Sequence, residues 1–86
     1  MFKVVLLPKA EKFFAGADLP LAKKLAKGFK SLQINPFQHP NIKPLVGPLK
    51  GLFRFRVGDY RIIYQIDAEK KLVYIVRIVH RREAYQ

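Results

Sequence analysis

Three arginines carry the chemistry this chain can do. Arg54 and Arg56 precede the dipeptide Gly58-Asp59, and Arg61 follows it. Two runs rich in aromatic and β-branched residues flank that dipeptide, and glycine supplies the positive φ of a tight turn. The stretch therefore reads as a hairpin with a two-residue connection. That register sets Val57 against Tyr60, Arg56 against Arg61, Phe55 against Ile62 and Arg54 against Ile63. Because opposed residues share a face, Phe53, Phe55, Val57, Tyr60, Ile62 and Tyr64 form one face and the arginines the other. Like charges set directly opposite one another destabilise a sheet. Arg56 and Arg61 thus oppose folding unless they splay into water, pair with acids or hold an anion between them. A guanidinium is a planar fork that matches two phosphate oxygens, so the chemistry expected here is phosphate recognition.

The composition agrees with a polyanionic partner. Seventeen Lys and Arg against six Asp and Glu give a formal charge of +11 on 86 residues, which favours nucleic acid or a strongly acidic protein. Cysteine is absent, which removes disulfides, thiolate metal sites and a thiol nucleophile. Two histidines, His39 and His80, are too few for a zinc site without several carboxylates, so neither metal nor cofactor is expected. The apolar run from Phe2 to Leu7 is too short for a signal peptide, and nothing approaches a membrane span. A cytoplasmic protein is the default expectation.

The elements that must position the arginines follow in chain order. Residues 1–86 suffice for one domain with one modest core. Phe2 to Leu7 predicts a short buried strand, ended by Pro8, which suits a first helical turn. Lys9 to Ala15 predicts a helix closed by Gly16. Asp18 predicts the N-cap of a second helix with the apolar stripe Leu21, Ala22, Leu25, Ala26, Phe29 and Leu32. Asn35-Pro36 stops it. The proline-punctuated segment from Phe37 to Pro48 reads as an extended loop, with His39 a surface histidine. Beyond the hairpin, Asp67 to Lys71 is a polar turn. Leu72 to Val79, apolar on both faces apart from Arg77, predicts a central strand. The expected fold is α+β: an N-terminal strand, two helices, then a three-stranded antiparallel meander. Together these make a four-stranded sheet with the helices on the Phe53/Phe55 face.

Leu45-Val46-Gly47, Phe53 through Tyr64, and Arg77-Ile78-Val79-His80-Arg81-Arg82-Glu83-Ala84-Tyr85 resemble the RelE/ParE superfamily of bacterial and archaeal toxins, and the RelE branch most. The resemblance implies a microbial-RNase-like fold, ribosome-dependent cleavage of mRNA in the A site, and neutralisation by an acidic antitoxin. It also implies that the toxin–antitoxin pair binds its promoter DNA through the antitoxin. Carried over by residue, it implies RNA contacts from Arg54 and Arg56 and catalytic roles for Arg61, Arg81 and Tyr85. Lys50, Arg77 and Arg82 are expected to add to the RNA-binding surface.

Cleaving RNA without metal needs the substrate 2′-hydroxyl as nucleophile, a proton acceptor, charge stabilisation on the phosphorane and an acid for the leaving oxygen. The best-known RelE pattern has lysines in the first hairpin strand. Arginine cannot give up its proton as lysine can, so the base must lie elsewhere. His80, which titrates near the working pH, is the candidate base or acid; the alternative is an orienting histidine. Tyr85 is expected to stack on a base or assist proton transfer. Two other functions compete: a ParE-like toxin that poisons DNA gyrase, and an inactive nucleic-acid-binding member.

Overall fold

A computed structural model of the chain describes residues 1–83. Its elements are β1 (Lys3–Leu6), α1 (Pro8–Ala15), α2 (Leu19–Ile34), β2 (Ile42–Pro44), β3 (Phe53–Val57), β4 (Tyr60–Asp67) and β5 (Leu72–His80), with short 3₁₀ turns at Gly47–Leu49 and Arg81–Glu83. The sheet has five strands in the order β1-β5-β4-β3-β2. β1 runs parallel to β5, and every other pair is antiparallel. The α+β architecture matches the sequence expectation, and β5 lies between β1 and β4 as an apolar central strand should.

The fifth strand is the difference. Ile42, Lys43 and Pro44 pair with Phe55, Arg54 and Phe53, in a stretch the sequence presents as loop. Three residues are too few to show alternation. A proline cannot donate to a ladder, so Pro44 restricts this strand to the sheet edge.

Local signals explain the helices. Pro8 opens α1. The Asp18 side chain accepts the Leu21 N–H at 3.0 Å and caps α2, satisfying one of the orphan donors of a helix start. At the other end, Asn35 Oδ1 accepts from the backbone N–H groups of Phe37 at 2.9 Å and Gln38 at 3.2 Å, which turns the chain out of the helix.

The core lies between the helices and one face of the sheet. Leu25, Phe29 and Leu32 of α2 and Ala10 of α1 meet Phe55, Ile62, Tyr64, Val73, Ile75 and Ile78. Each large side chain withdrawn from water contributes on the order of 1.5–3 kcal/mol. α2 sits so close to the sheet that a Cβ added at Gly28 would lie 3.2 Å from Val57 Cγ2 and 3.3 Å from Ile62 Cδ1.

One irregularity governs everything downstream. Tyr64 pairs with Ile75 but Ile63 pairs with Arg77, leaving Val76 unmatched as a bulge. Ile75 and Ile78 consequently both reach the core, although strict alternation would separate them.

Candidate nucleic-acid interface

The hairpin register is the one the sequence predicts: Val57 pairs with Tyr60, Arg56 with Arg61, Phe55 with Ile62, Arg54 with Ile63. Gly58 has φ +58°, and Asp59 does not take a positive φ; glycine first in a two-residue loop is the pattern a tight hairpin favours. The face opposite the helices then reads in two rows across the sheet. One row runs Lys43, Arg54, Ile63, Arg77; the next runs Arg56, Arg61, Val79. Five cations thus occupy adjoining rungs of three strands and the β2 edge.

Their hydrogen bonds are sparse. Arg61 Nη1 donates to the carbonyls of Gly58 and Tyr60, each at 3.0 Å, which locks its side chain back onto the hairpin turn. Arg56 Nη2 donates to Asn41 Oδ1 at 3.2 Å. The Nε atoms of Arg54 and Arg61 are buried and meet no acceptor among the described residues. A buried donor left without an acceptor costs about 1–3 kcal/mol, more when charged. With Arg56 and Arg61 also directly opposed, this face concentrates positive charge that its own residues leave largely unneutralised.

Arg81 begins the turn that follows β5. Its backbone N–H donates to the Asp59 carbonyl at 2.7 Å, and its Nε lies 3.8 Å from Asp59 Oδ1 in an exposed pair. Arg61 from β4 and Arg81 from the turn after β5 therefore both reach the β3–β4 turn. Arg77 stands in the Arg54 row. Lys50 and Arg82 are exposed, Lys50 in the loop before β3 and Arg82 in the 81–83 turn. Tyr85 lies outside the described residues. Lys43 belongs to the cationic face and escaped sequence reasoning, because its strand did; a cation two residues after Asn41 in a proline-rich loop gives no signal of its own.

His80 does not join the arginines. It pairs with Tyr60 on the helix-covered side of the sheet, where the two rings meet edge-on at 5.4 Å and Phe13 of α1 lies 5.7 Å from Tyr60. Its Nδ1 accepts the Arg82 backbone N–H at 3.3 Å, tying the ring to the turn that carries Arg81. The expectation of an imidazole among the guanidinium groups is corrected by the bulge. Counting alternately from Ile75 would send His80 to the arginine face and Arg77 to the core; the unmatched Val76 exchanges them. His39 is likewise structural, with Nδ1 accepting from the Asn41 N–H at 3.0 Å and its ring 4.9 Å from Phe55.

Tyr64, buried among the core residues, is the other polar group of note. Its hydroxyl donates to the Pro36 carbonyl at 2.8 Å, and burial pushes its phenol far above the ordinary value, so it holds its proton and anchors the end of α2. Among the described residues no group of three or more His, Cys, Asp or Glu is placed to hold a metal. No helix among them is long and apolar enough to cross a membrane.

A family model described as the ParE toxin of type II toxin-antitoxin systems, parDE, matches residues 4–85. The chain is similar to toxin RelG of Mycobacterium tuberculosis, 46% identical over 44 residues, covering 51% of this chain and 51% of RelG. It is similar also to toxin RelE of that organism, 41% identical over 58 residues, covering 67% of this chain and 58% of RelE. These matches span between about half and three fifths of the relatives' own lengths. In three dimensions it is similar to a chain in the crystal structure of the toxin-antitoxin complex RelBE2 from M. tuberculosis, with a TM-score of 0.79 and 30% identity over 92% of this chain and 96% of that one.

Proposed function

The chain belongs to the ParE toxin family of type II toxin-antitoxin systems, and from its cationic sheet face and its similarity to toxin RelE we propose that it is a ribosome-dependent endoribonuclease that cuts mRNA in the A site. The observation carrying this reading is the sheet face on which five cations, Lys43, Arg54, Arg56, Arg61 and Arg77, occupy adjoining rungs. In the proposed reaction the 2′-hydroxyl gives up its proton and attacks the adjacent phosphorus, the bond from phosphorus to the 5′-oxygen breaks as that oxygen takes up a proton, and a 2′,3′-cyclic phosphate forms. Arg54 and Arg61 hold the phosphate oxygens as charge accumulates on the phosphorane. Electrostatic support of that kind is worth most in the transition state. Arg81 adds a third guanidinium from the end of β5, Arg56, Lys43, Lys50 and Arg82 hold the flanking backbone, and Arg77 adds to the RNA-binding surface beside them. His80 is the orienting residue that fixes the Arg81–Glu83 turn. Proton transfer or base stacking falls to Tyr85, by the family resemblance.

The partner is an acidic antitoxin that covers or distorts the cationic face. The similarity to a chain of a toxin-antitoxin complex supports this, as does the charge of +11. Promoter binding by the complex would use a DNA-binding part of the antitoxin. A second reading, a non-nuclease toxin acting on DNA gyrase, is favoured by one observation: the matching family model is that of ParE, parDE.

Expression in a translating extract separates the two, with mRNA 5′ ends mapped by primer extension and plasmid supercoiling followed in parallel. Codon-positioned cuts that require ribosomes support the nuclease. Intact mRNA with gyrase-linked DNA breaks supports the other reading. Arg61→Ala and Arg81→Ala should each lower cleavage by about 10²–10³-fold while an antitoxin still binds; full cleavage by both variants would remove the site assignment.

A further inference from the structure

We propose that the hollow beside the arginine rows is a base slot that selects cytosine next to the phosphate held by Arg54 and Arg61. This deepens the RNA-cleavage reading and rests on RNA being the substrate. Gly47 at φ +65° and Gly51 at φ +100° bend the segment before β3. The Lys50 N–H donates to the Gly47 carbonyl at 3.1 Å and the Leu52 N–H to the Leu49 carbonyl at 3.1 Å. Leu49 and Leu52 thereby close over Ile63, Val76 and Val79, leaving a hollow of about 140 Å³ whose rim carries Arg77 and Glu83.

The hollow has the size and chemistry for one flat ring. A cavity of about 150 Å³ lined by aliphatic side chains holds a benzene ring, so the single ring of a pyrimidine fits this space. Its floor residues Ile63 and Val79 are the direct cross-strand partners of Arg54 and Arg61. A base seated there leaves its sugar-phosphate beside the Arg54 and Arg61 side chains. Leu49, 39% exposed, keeps the mouth open to solvent.

The rim supplies selectivity. Asp59 is engaged by Arg81, whereas Glu83 has no ion-pair partner within 4.0 Å among the described residues. Its carboxylate can only accept when ionised. Cytosine offers an exocyclic amino donor to that acceptor, and a carboxylate accepting from this amino group is a known mode of base recognition. Arg77 can donate to the ring acceptors N3 and O2. Uracil presents a carbonyl where cytosine has the amino group and so meets Glu83 with an unfavourable oxygen.

Titration of the full chain with CMP, UMP, AMP and GMP, followed by the methyl resonances of Ile63 and Val79, tests the slot. CMP should shift both methyls and bind about tenfold more tightly than UMP, with the purine nucleotides, which lack cytosine's edge, also weaker than CMP. Glu83→Gln should move the preference towards UMP, because its amide can donate to the O4 carbonyl, and Leu52→Ala should erase discrimination among the four. Equal binding of all four, or shifts that spare Ile63 and Val79, would overturn the proposal. The same variants in the primer-extension assay keep the two readings apart. Cleavage indifferent to cytosine sinks the slot and leaves the nuclease; selective CMP binding with no cleavage upholds the slot and removes the nuclease.

Discussion

Arg56 and Arg61 stand opposite each other on one face, and such a pair is tolerated at the expense of stability. Replacing Arg56 with threonine removes the repulsion and installs a β-branched residue suited to the strand. Arg56→Thr should raise unfolding free energy by about 0.2–1 kcal/mol while weakening RNA binding. Denaturant melts and filter binding measure the two, and a variant that loses stability would show that the arginines are paired by something else. Tyr64 works in the opposite direction. Tyr64→Phe strands the Pro36 carbonyl and should cost about 1–3 kcal/mol. Because the folded phenol is raised, its contribution is whole below the unfolded value of about 10 and declines as pH climbs past it. The gap between wild type and Tyr64→Phe in urea melts, full at neutral pH, should therefore narrow at strongly alkaline pH; a pH-independent gap would refute the linkage. At this scale the sequence was informative where register is local. Gly58-Asp59 fixes the arginine face, whereas the side taken by His80 depends on an unmatched Val76 that leaves no local mark.

Among the elements, α2 and the hairpin were legible because each carries its own periodicity: the Leu25, Phe29, Leu32 stripe and the Phe55, Ile62 alternation. β2 was not, since three residues ending in a proline acquire strand character only by pairing with β3. Nor was the placement of β1 beside β5, a pairing between chain ends that no window of sequence contains. α2 approaches the sheet closely at Gly28. Gly28→Val must displace Val57 and Ile62, already 3.2 and 3.3 Å from a notional Cβ, and overpacking of this kind costs about 1–3 kcal/mol. A thermal melt checks it, and an unchanged midpoint would mean that α2 can lift freely from the sheet.

The whole molecule behaves as a cation with one preferred surface. If the five rungs of the two rows each neutralise one phosphate, the logarithm of single-stranded RNA affinity should fall with the logarithm of salt at a slope of about −3.5. Titrations at several salt concentrations give that slope, and a value near zero would shift recognition away from charge. The β5 bulge has a further effect at this scale, on inheritance. Because Ile75 and Ile78 already share a side, a gene that lost the codon for Val76 would still encode Arg77 outward and His80 inward. Loss of the codon for Val79 would invert every residue after Ile78. Frame-preserving deletions one strand-width apart are thus expected to be nearly silent in one case and disabling in the other.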